Sequence, residues 1–256
     1  MRVALLQTAS RPRDVAGNLD RLAEACAGVD ADLLVTPEMF LTGYDIGADA
    51  VAELAEPADG PSAAAVAEIA RSSGTAVLYG HPRRDGTRVS NAVALVGPDG
   101  TRLAGYRKTH LFGELDRAGF TASDTPPAVV TWNGWGLGLL ICYDVEFPET
   151  VRALALAGAD AVLVPTANMA AYDHVPEVLV PARARESQVY VAYANWCGSE
   201  GSLTYGGLSC VAGPDGAVVR AGRAPELLVA ELDRGALAVS RRANPYLADR
   251  RPDLYG

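Results

Sequence analysis

The chain has 256 residues, 49% hydrophobic and 21% charged, an ordinary globular balance that excludes a disordered or fibrous protein. Lys and Arg total 22 against 31 Asp and Glu, a formal net charge of −9 at pH 7. The basic pairs Arg83–Arg84, Arg241–Arg242 and Arg250–Arg251 are each diluted by nearby acids or proline, so the basic face of a nucleic-acid binder is missing and no such partner is expected.

Short apolar runs alternate with helical patterns along the chain. Val3–Gln7 reads as a strand. Asn18–Val29 carries Leu19, Leu22, Ala23, Cys26 and Val29 at helical spacing, and Asp32–Thr36 is a second buried strand. Ser62–Ser72 is an alanine-rich helix with Pro61 at its first turn. Thr75–Gly80 and Val89–Val96 read as strands, and the turn Gly97-Pro98-Asp99-Gly100 leads into a further strand, Arg102–Arg107. Ala128–Trp132 and Gly136–Cys142 form a hairpin about Asn133-Gly134. Pro148–Ala157 is helical, Ala161–Val164 a strand, Pro181–Gln188 helical and Val189–Asn195 a strand. A last hairpin spans Leu208–Val219 and turns at Gly213-Pro214-Asp215-Gly216. That tetrapeptide repeats the one at 97–100, which hints at two similarly built halves. The alternation predicts an α/β chain whose sheets are covered by helices. No linker divides it, so residues 1–256 form one domain, with a proline-interrupted tail from about 240 to 256 that straps the core or a partner subunit.

The four cysteines at 26, 142, 197 and 210 form no C-x-x-C pair. The amino-terminal MRVALLQTASRPRD lacks the apolar core of a signal peptide, and no apolar run approaches ~18 residues. No membrane partner is expected, and a reduced cytoplasmic setting follows.

Three strands end in residues useful for acyl transfer. GLGLLIC delivers Cys142, DLLVTPE delivers Glu38 and RLAGYRK delivers Lys108. Each alone reads more readily as a core thiol, a loop acid or a surface lysine than as a catalytic group. Together they supply a nucleophile, a general base and a fixed cation that lowers a thiol pKa or holds an oxyanion. His81, His110 and His174 carry no local signature of a Cys–His pair and are scattered rather than clustered as metal ligands are. Cys26, Cys197 and Cys210 read as packing residues, and Asp144 and Glu149 as structural ties or helix-terminal acids.

The blocks Pro37-Glu38-Met39-Phe40, Tyr106-Arg107-Lys108-Thr109-His110-Leu111 and Gly138-Leu139-Leu140-Ile141-Cys142-Tyr143-Asp144 resemble, in order, the three signature blocks of the nitrilase superfamily of carbon–nitrogen hydrolases. The resemblance covers essentially the whole chain. The stretches MFLTGYDIG (39–47), YRKTHLFGELDR (106–117), ICYDVEFPE (141–149), VPTANM (164–169) and YANWCG (193–198) are similar to bacterial amidases of small linear amides, 5-aminopentanamide among them. It implies a four-layer α-β-β-α sandwich, commonly paired into an eight-layer homodimer. It implies Cys142 as nucleophile, Glu38 as general base and Lys108 as oxyanion stabiliser, assisted by the Tyr143 backbone N–H, with no metal or organic cofactor. The family often adds a second glutamate in a Glu-x-x-x-Phe pattern. Here the residue four before Phe120 is Asp116, and Glu114 stands two earlier. Glu114 is the preferred second acid for its length, with Asp116 the alternative. Tyr44, Asn168, Met169, Tyr172 and Trp196 are candidates to line an acyl pocket, and Asp173 or Glu146 to meet a cationic tail.

The expected activity is hydrolysis of a small linear carboxamide of the 5-aminopentanamide type to the acid and ammonia, through a thioester. Other amide specificities (4-guanidinobutanamide, general aliphatic or R-stereoselective) are alternatives. A nitrilase, an N-carbamoyl hydrolase, a non-catalytic sensor or an ammonia-supplying module fit less well.

Overall fold

The computed structural model describes residues 1–255. The first half of the chain comprises strand β1 (Arg2–Gln7), helix α1 (Val15–Ala27), β2 (Leu33–Val35), α2 (Ala48–Leu54), α3 (Pro61–Ser73), β3 (Ala76–Asp85), β4 (Arg88–Val96) and β5 (Arg102–Arg107). Then follow α4 (Gly113–Gly119), β6 (Val129–Trp132), β7 (Trp135–Leu139), α5 (Pro148–Leu156), β8 (Ala161–Thr166), α6 (Val180–Ser187) and β9 (Tyr190–Asn195). The chain finishes with β10 (Cys197–Glu200), β11 (Leu203–Gly206), β12 (Cys210–Ala212), β13 (Val218–Arg220), β14 (Glu226–Glu231) and α7 (Arg234–Ala243).

Two six-stranded sheets carry the fold, in the orders β14-β1-β2-β3-β4-β5 and β13-β12-β9-β8-β7-β6. In the first, β1, β2 and β3 are parallel and β4 and β5 antiparallel additions. In the second, β7, β8 and β9 are parallel and β12 and β13 antiparallel additions. β14 and β6 close the opposite edges, antiparallel to β1 and β7. The two Gly-Pro-Asp-Gly turns occupy equivalent places, between β4 and β5 and between β12 and β13. In each, the first glycine's N–H reaches across the turn to a carbonyl, from Gly97 to Thr101 at 2.8 Å and from Gly213 to Ala217 at 2.7 Å. The closing Gly100 and Gly216 sit at φ +79° and +93°, conformations a β-carbon would strain. The repeated tetrapeptide marks a real likeness between the halves.

Alternation along the strands sorts the core into layers. Val3, Leu5, Leu33, Val35 and Leu78 face the second sheet and pack with Leu137, Leu139, Leu163 and Ala192. Ala4, Leu6, Leu34 and Val77 point the other way, onto Leu22 and Cys26 of α1 and Val66 and Ala70 of α3. Val151 and Leu154 of α5 and Val180 and Ala184 of α6 cover the outer face of the second sheet. The result is an α-β-β-α sandwich. Among the described residues no helix is long and apolar enough to cross a membrane.

Several elements went unread in the sequence: α2, α4, the β10–β11 hairpin, β14 and α7. α2, α4 and the strands are short, and α7 carries Arg234, Arg241 and Arg242 in a segment that reads as a charged tail. The tail expected from about residue 240 begins inside α7, which Asp233 caps by accepting from the Gly235 and Ala236 N–H groups at 2.6 and 3.2 Å. Arg241 binds that helix to the chain's own core, donating to Asp160 Oδ1 at 2.9 Å, the Ala159 carbonyl at 2.7 Å and the Gln188 carbonyl at 3.0 Å. Leu254 and Tyr255 lie exposed.

Gly80, in β3, lies under the turn that follows β2. A β-carbon there would stand 2.5 Å from the Met39 nitrogen and 2.9 Å from the Pro37 oxygen, and backbone atoms cannot rotate away. Gly80→Ala is therefore expected to lose about 2 kcal/mol of stability, a drop in melting temperature of roughly 4–8 °C, and to displace Glu38. A thermal melt within 1–2 °C of wild type would contradict this packing.

Candidate active site

The loops at the ends of β2, β5, β7 and β8 converge. After Val35 the chain makes one more sheet bond, Thr36 N–H to the Leu78 carbonyl at 2.9 Å, and then turns away at Pro37. Glu38 is fixed from both sides of its peptide. Its N–H donates to the Thr166 carbonyl at 3.2 Å, and its carbonyl accepts from Trp196 Nε1 at 2.8 Å. Lys108 follows β5, with its N–H on the Asn91 carbonyl at 2.9 Å.

The side chains of Glu38, Lys108 and Asp116 have no exposed surface. Lys108 Nζ donates to Glu38 Oε1 and to Asp116 Oδ2, both at 2.7 Å. Neutral donors complete the shell: Asn91 Nδ2 to Glu38 Oε1 at 2.7 Å, Tyr44 OH to Asp116 Oδ1 at 2.8 Å, and the Phe112 N–H to Asp116 Oδ2 at 2.8 Å. Glu38 Oε2 is buried without a partner among the described residues.

Cys142 lies beyond the strand in which its sequence placed it. β7 ends at Leu139, and Leu140 makes a final bond to the Leu163 carbonyl at 3.1 Å. The Ile141 N–H then turns to Asp144 Oδ2 at 3.1 Å, and Cys142–Glu146 form a 3₁₀ turn. Cys142 itself has φ +46°, a costly conformation for a non-glycine residue that surrounding contacts must enforce. Asp144 supplies them. Wholly buried, it also accepts from Tyr106 OH at 3.0 Å, Thr109 Oγ1 at 2.9 Å and the His110 N–H at 3.0 Å, tying the lysine segment to the nucleophile turn.

Burial is the first electrostatic influence on Glu38, Lys108 and Cys142. It raises the Glu38 carboxyl above the usual range, against the pull of Lys108. Burial opposes the Lys108 charge, but the negative groups around it, Glu38 foremost, hold the ammonium well above its ordinary pKa. Burial and then the Glu38 carboxylate push the Cys142 thiol up, with Lys108 opposing. Thiol, carboxyl and ammonium thus share one site in which each shifts the others' protonation.

Of the two candidate second acids, the structure brings in Asp116 and leaves Glu114 out. The Glu114 side chain is 95% exposed beside Arg117. Its greater length gave no advantage, because α4 points position 114 to solvent while Tyr44 OH and the Phe112 N–H meet the shorter Asp116. Tyr44, Asn168, Met169 and Tyr172 line a narrow cleft that opens on Cys142 and Tyr143. Trp196 is not among its walls. It is fully buried, stacked on Phe40 with ring centroids 5.7 Å apart, and acts beneath the cleft through its bond to Glu38. Asp173 is engaged by Arg223, whereas Glu146 faces the cleft. Larger grooves lie elsewhere, at Arg83 and Tyr106, between α1 and α3, and at Asp30 and Trp132, but none is lined by a cysteine. Phe112 and Asn91 went unremarked in the sequence. An asparagine inside the apolar run of β4 was the available signal, since a buried amide needs partners.

The carbon–nitrogen hydrolase family model matches residues 2–242. A protein of Pseudomonas protegens described as a hydrolase in the pqqF 5′ region is 56% identical over 259 residues, covering 100% of this chain and 90% of that one. An (R)-stereoselective amidase of a Pseudomonas species is 40% identical over 261 residues, covering 100% and 93%. Among solved structures, the NitN amidase of Nesterenkonia sp. AN1 superposes with a TM-score of 0.86 at 39% identity, covering 100% of this chain and 98% of that one. Variants of that amidase have been solved with the acetamide moiety of fluoroacetamide attached to the active-site cysteine and, after a cysteine-to-alanine change, with butyramide. With its Glu–Lys–Cys cluster in one buried site and this agreement over its whole length, the chain belongs to the carbon–nitrogen hydrolase family, the nitrilase superfamily.

Proposed function

We propose that the protein is a cysteine-dependent amidase that hydrolyses a small linear carboxamide of the 5-aminopentanamide type to the carboxylic acid and ammonia. The observation that carries this reading is the buried Lys108 held between Glu38 and Asp116, at 2.7 Å from each, beside a nucleophile turn strained at Cys142. Amide complexes of the Nesterenkonia amidase support the substrate class.

In the proposed cycle the Cys142 sulfur attacks the amide carbonyl carbon while its proton passes to Glu38 Oε2. The tetrahedral oxyanion is met by the Lys108 ammonium and the Tyr143 N–H, each such donor contributing about 3 kcal/mol. Glu38 returns the proton to the departing nitrogen, the C–N bond breaks, and ammonia leaves behind a thioester. Water then attacks the thioester carbon, giving a proton to Glu38, and collapse expels the Cys142 thiolate, which takes that proton back. Asp116 holds Lys108 in position and balances its charge.

Purified protein is expected to release ammonia from 5-aminopentanamide, and Cys142→Ala to lose at least about 10⁴-fold in kcat while keeping its melting temperature. Substantial turnover by the alanine variant, or attack only on a nitrile or an N-carbamoyl compound, would overturn the proposal. Pentanamide hydrolysed as fast as 5-aminopentanamide would leave the amidase reading and remove the substrate assignment.

The two acids separate in the same assay. Glu114→Gln should leave kcat/KM within about twofold, since exposed surface changes are usually near neutral. Asp116→Asn should lower kcat by roughly 10²–10³-fold through loss of Lys108 alignment. Equal effects would contradict the geometry.

The pH profile has a defined sign. Glu38 must be ionised to receive the thiol proton, and burial raises its pKa. Activity should therefore fall, as pH is lowered, at a higher pH than an ordinary glutamate of about 4.3 would dictate. Lys108, held above its usual value, should impose no loss on the alkaline side below about pH 10. An acid limb of kcat/KM at or below pH 4.3 would contradict the assignment of Glu38 as base.

A further inference from the structure

Glu146 stands at the far end of the 3₁₀ turn that begins with Cys142, and both residues line the same cleft. It is the sole acid among the cleft-lining residues. Among the described residues its carboxylate has no hydrogen bond and no ion pair; only its backbone carbonyl is engaged, by Arg183 Nη2 at 2.6 Å. The neighbouring cation is otherwise committed, since Arg183 also donates to the Val145 carbonyl at 3.1 Å and to Glu186 Oε1 at 3.1 Å. The remaining positive influences on Glu146 come from His174 and from Lys108, which is already shared by two carboxylates. Burial pushes the Glu146 carboxyl up, so its ionised form gains from any cation that enters.

The walls suit such a cation. Phe112 meets Tyr143 and Tyr172 edge-on, with centroids 5.2 and 5.6 Å away, which gives the cleft a side of three aromatic rings. Aromatic faces attract ammonium and guanidinium groups and also cover a methylene chain. The spacing fits as well. A 3₁₀ turn rises about 2 Å per residue, so positions 142 and 146 stand on the order of 8 Å apart along it. An extended chain of five single bonds, from an amide carbonyl carbon to an ω-nitrogen, spans about 6 Å.

We infer that Glu146 is the specificity-determining residue of the cleft and binds the cationic tail of a straight-chain amide whose carbonyl lies at Cys142. The inference rests on the amidase reading and deepens it. An aliphatic ammonium and a guanidinium share the required chemistry, and the assay separates them.

The test is the ratio of kcat/KM for 5-aminopentanamide to that for hexanamide, its neutral isostere. 4-Guanidinobutanamide and the monoamide of adipic acid are run in parallel, on wild type, Glu146→Asp, Glu146→Gln and Glu146→Arg. Wild type should favour one or both cationic amides over hexanamide by tenfold or more. Glu146→Gln should bring that ratio to within about threefold of unity, Glu146→Asp should keep its sign, and Glu146→Arg should move the preference to the carboxylate-tailed amide. Because each value is a ratio within one variant, partial loss of folded enzyme cancels. A wild-type preference that survives in Glu146→Gln overturns the role of Glu146 alone. A wild type without cationic preference overturns the inference and leaves the amidase intact. Failure of wild type on every amide overturns both.

Discussion

One ammonium without solvent organises this site. Removing Lys108 from water costs several kcal/mol, and so does removing each of its carboxylate partners. The cluster is sustained because every charge has close partners: two 2.7 Å bonds from Nζ, plus the Asn91 amide, the Tyr44 hydroxyl and the Phe112 N–H on the acids. Such a cluster adds little net stability. It holds a cation fixed in place, a geometry that needs little reorganisation when charge develops beside it. Trp196 beneath Glu38 and Asp144 beneath Cys142 act through this arrangement by holding the backbone that carries it.

The sandwich makes such a convergence available. Its two sheets share a topology, three parallel strands with antiparallel additions, and parallel strands bring their carboxyl ends to one edge. Glu38 leaves β2 in one sheet, Cys142 follows β7 in the other, and the Glu38 N–H bonds to the Thr166 carbonyl at the end of β8 across the junction. Lys108 comes from β5. Cys142 and Glu38 therefore belong to different halves of the molecule, and their alignment depends on how the two sheets pack. Close approaches such as Gly80 under the Pro37–Met39 turn belong to the same requirement.

The parts most visible in the sequence were those governed by local rules. Alternating strands, proline-started helices and the paired Gly-Pro-Asp-Gly turns were read close to their observed bounds, because side-chain periodicity and turn chemistry act over a few residues. The weak elements were α2, α4, the β10–β11 hairpin, β14 and α7, whose order comes from contacts made elsewhere in the chain. Position 114 against 116 shows the same limit at the level of one side chain. Length and charge favoured Glu114, whereas helix phase and the converging donors selected Asp116.

By itself the sequence determined the chemical inventory and its chain positions: a thiol, a carboxylate and a lysine, each just after a strand, within blocks characteristic of one superfamily. Residue type and strand-end placement are properties of short segments, so they can be read without a fold. Only the tertiary structure decided which acid meets Lys108, that Trp196 supports the Glu38 backbone and does not line the cleft, that Cys142 is held at positive φ beyond its strand, and that Glu146 rather than Asp173 faces the cleft. Those outcomes depend on burial and on partners distant in sequence, as in the Glu38–Trp196 bond, and such distances exist only once both sheets have packed.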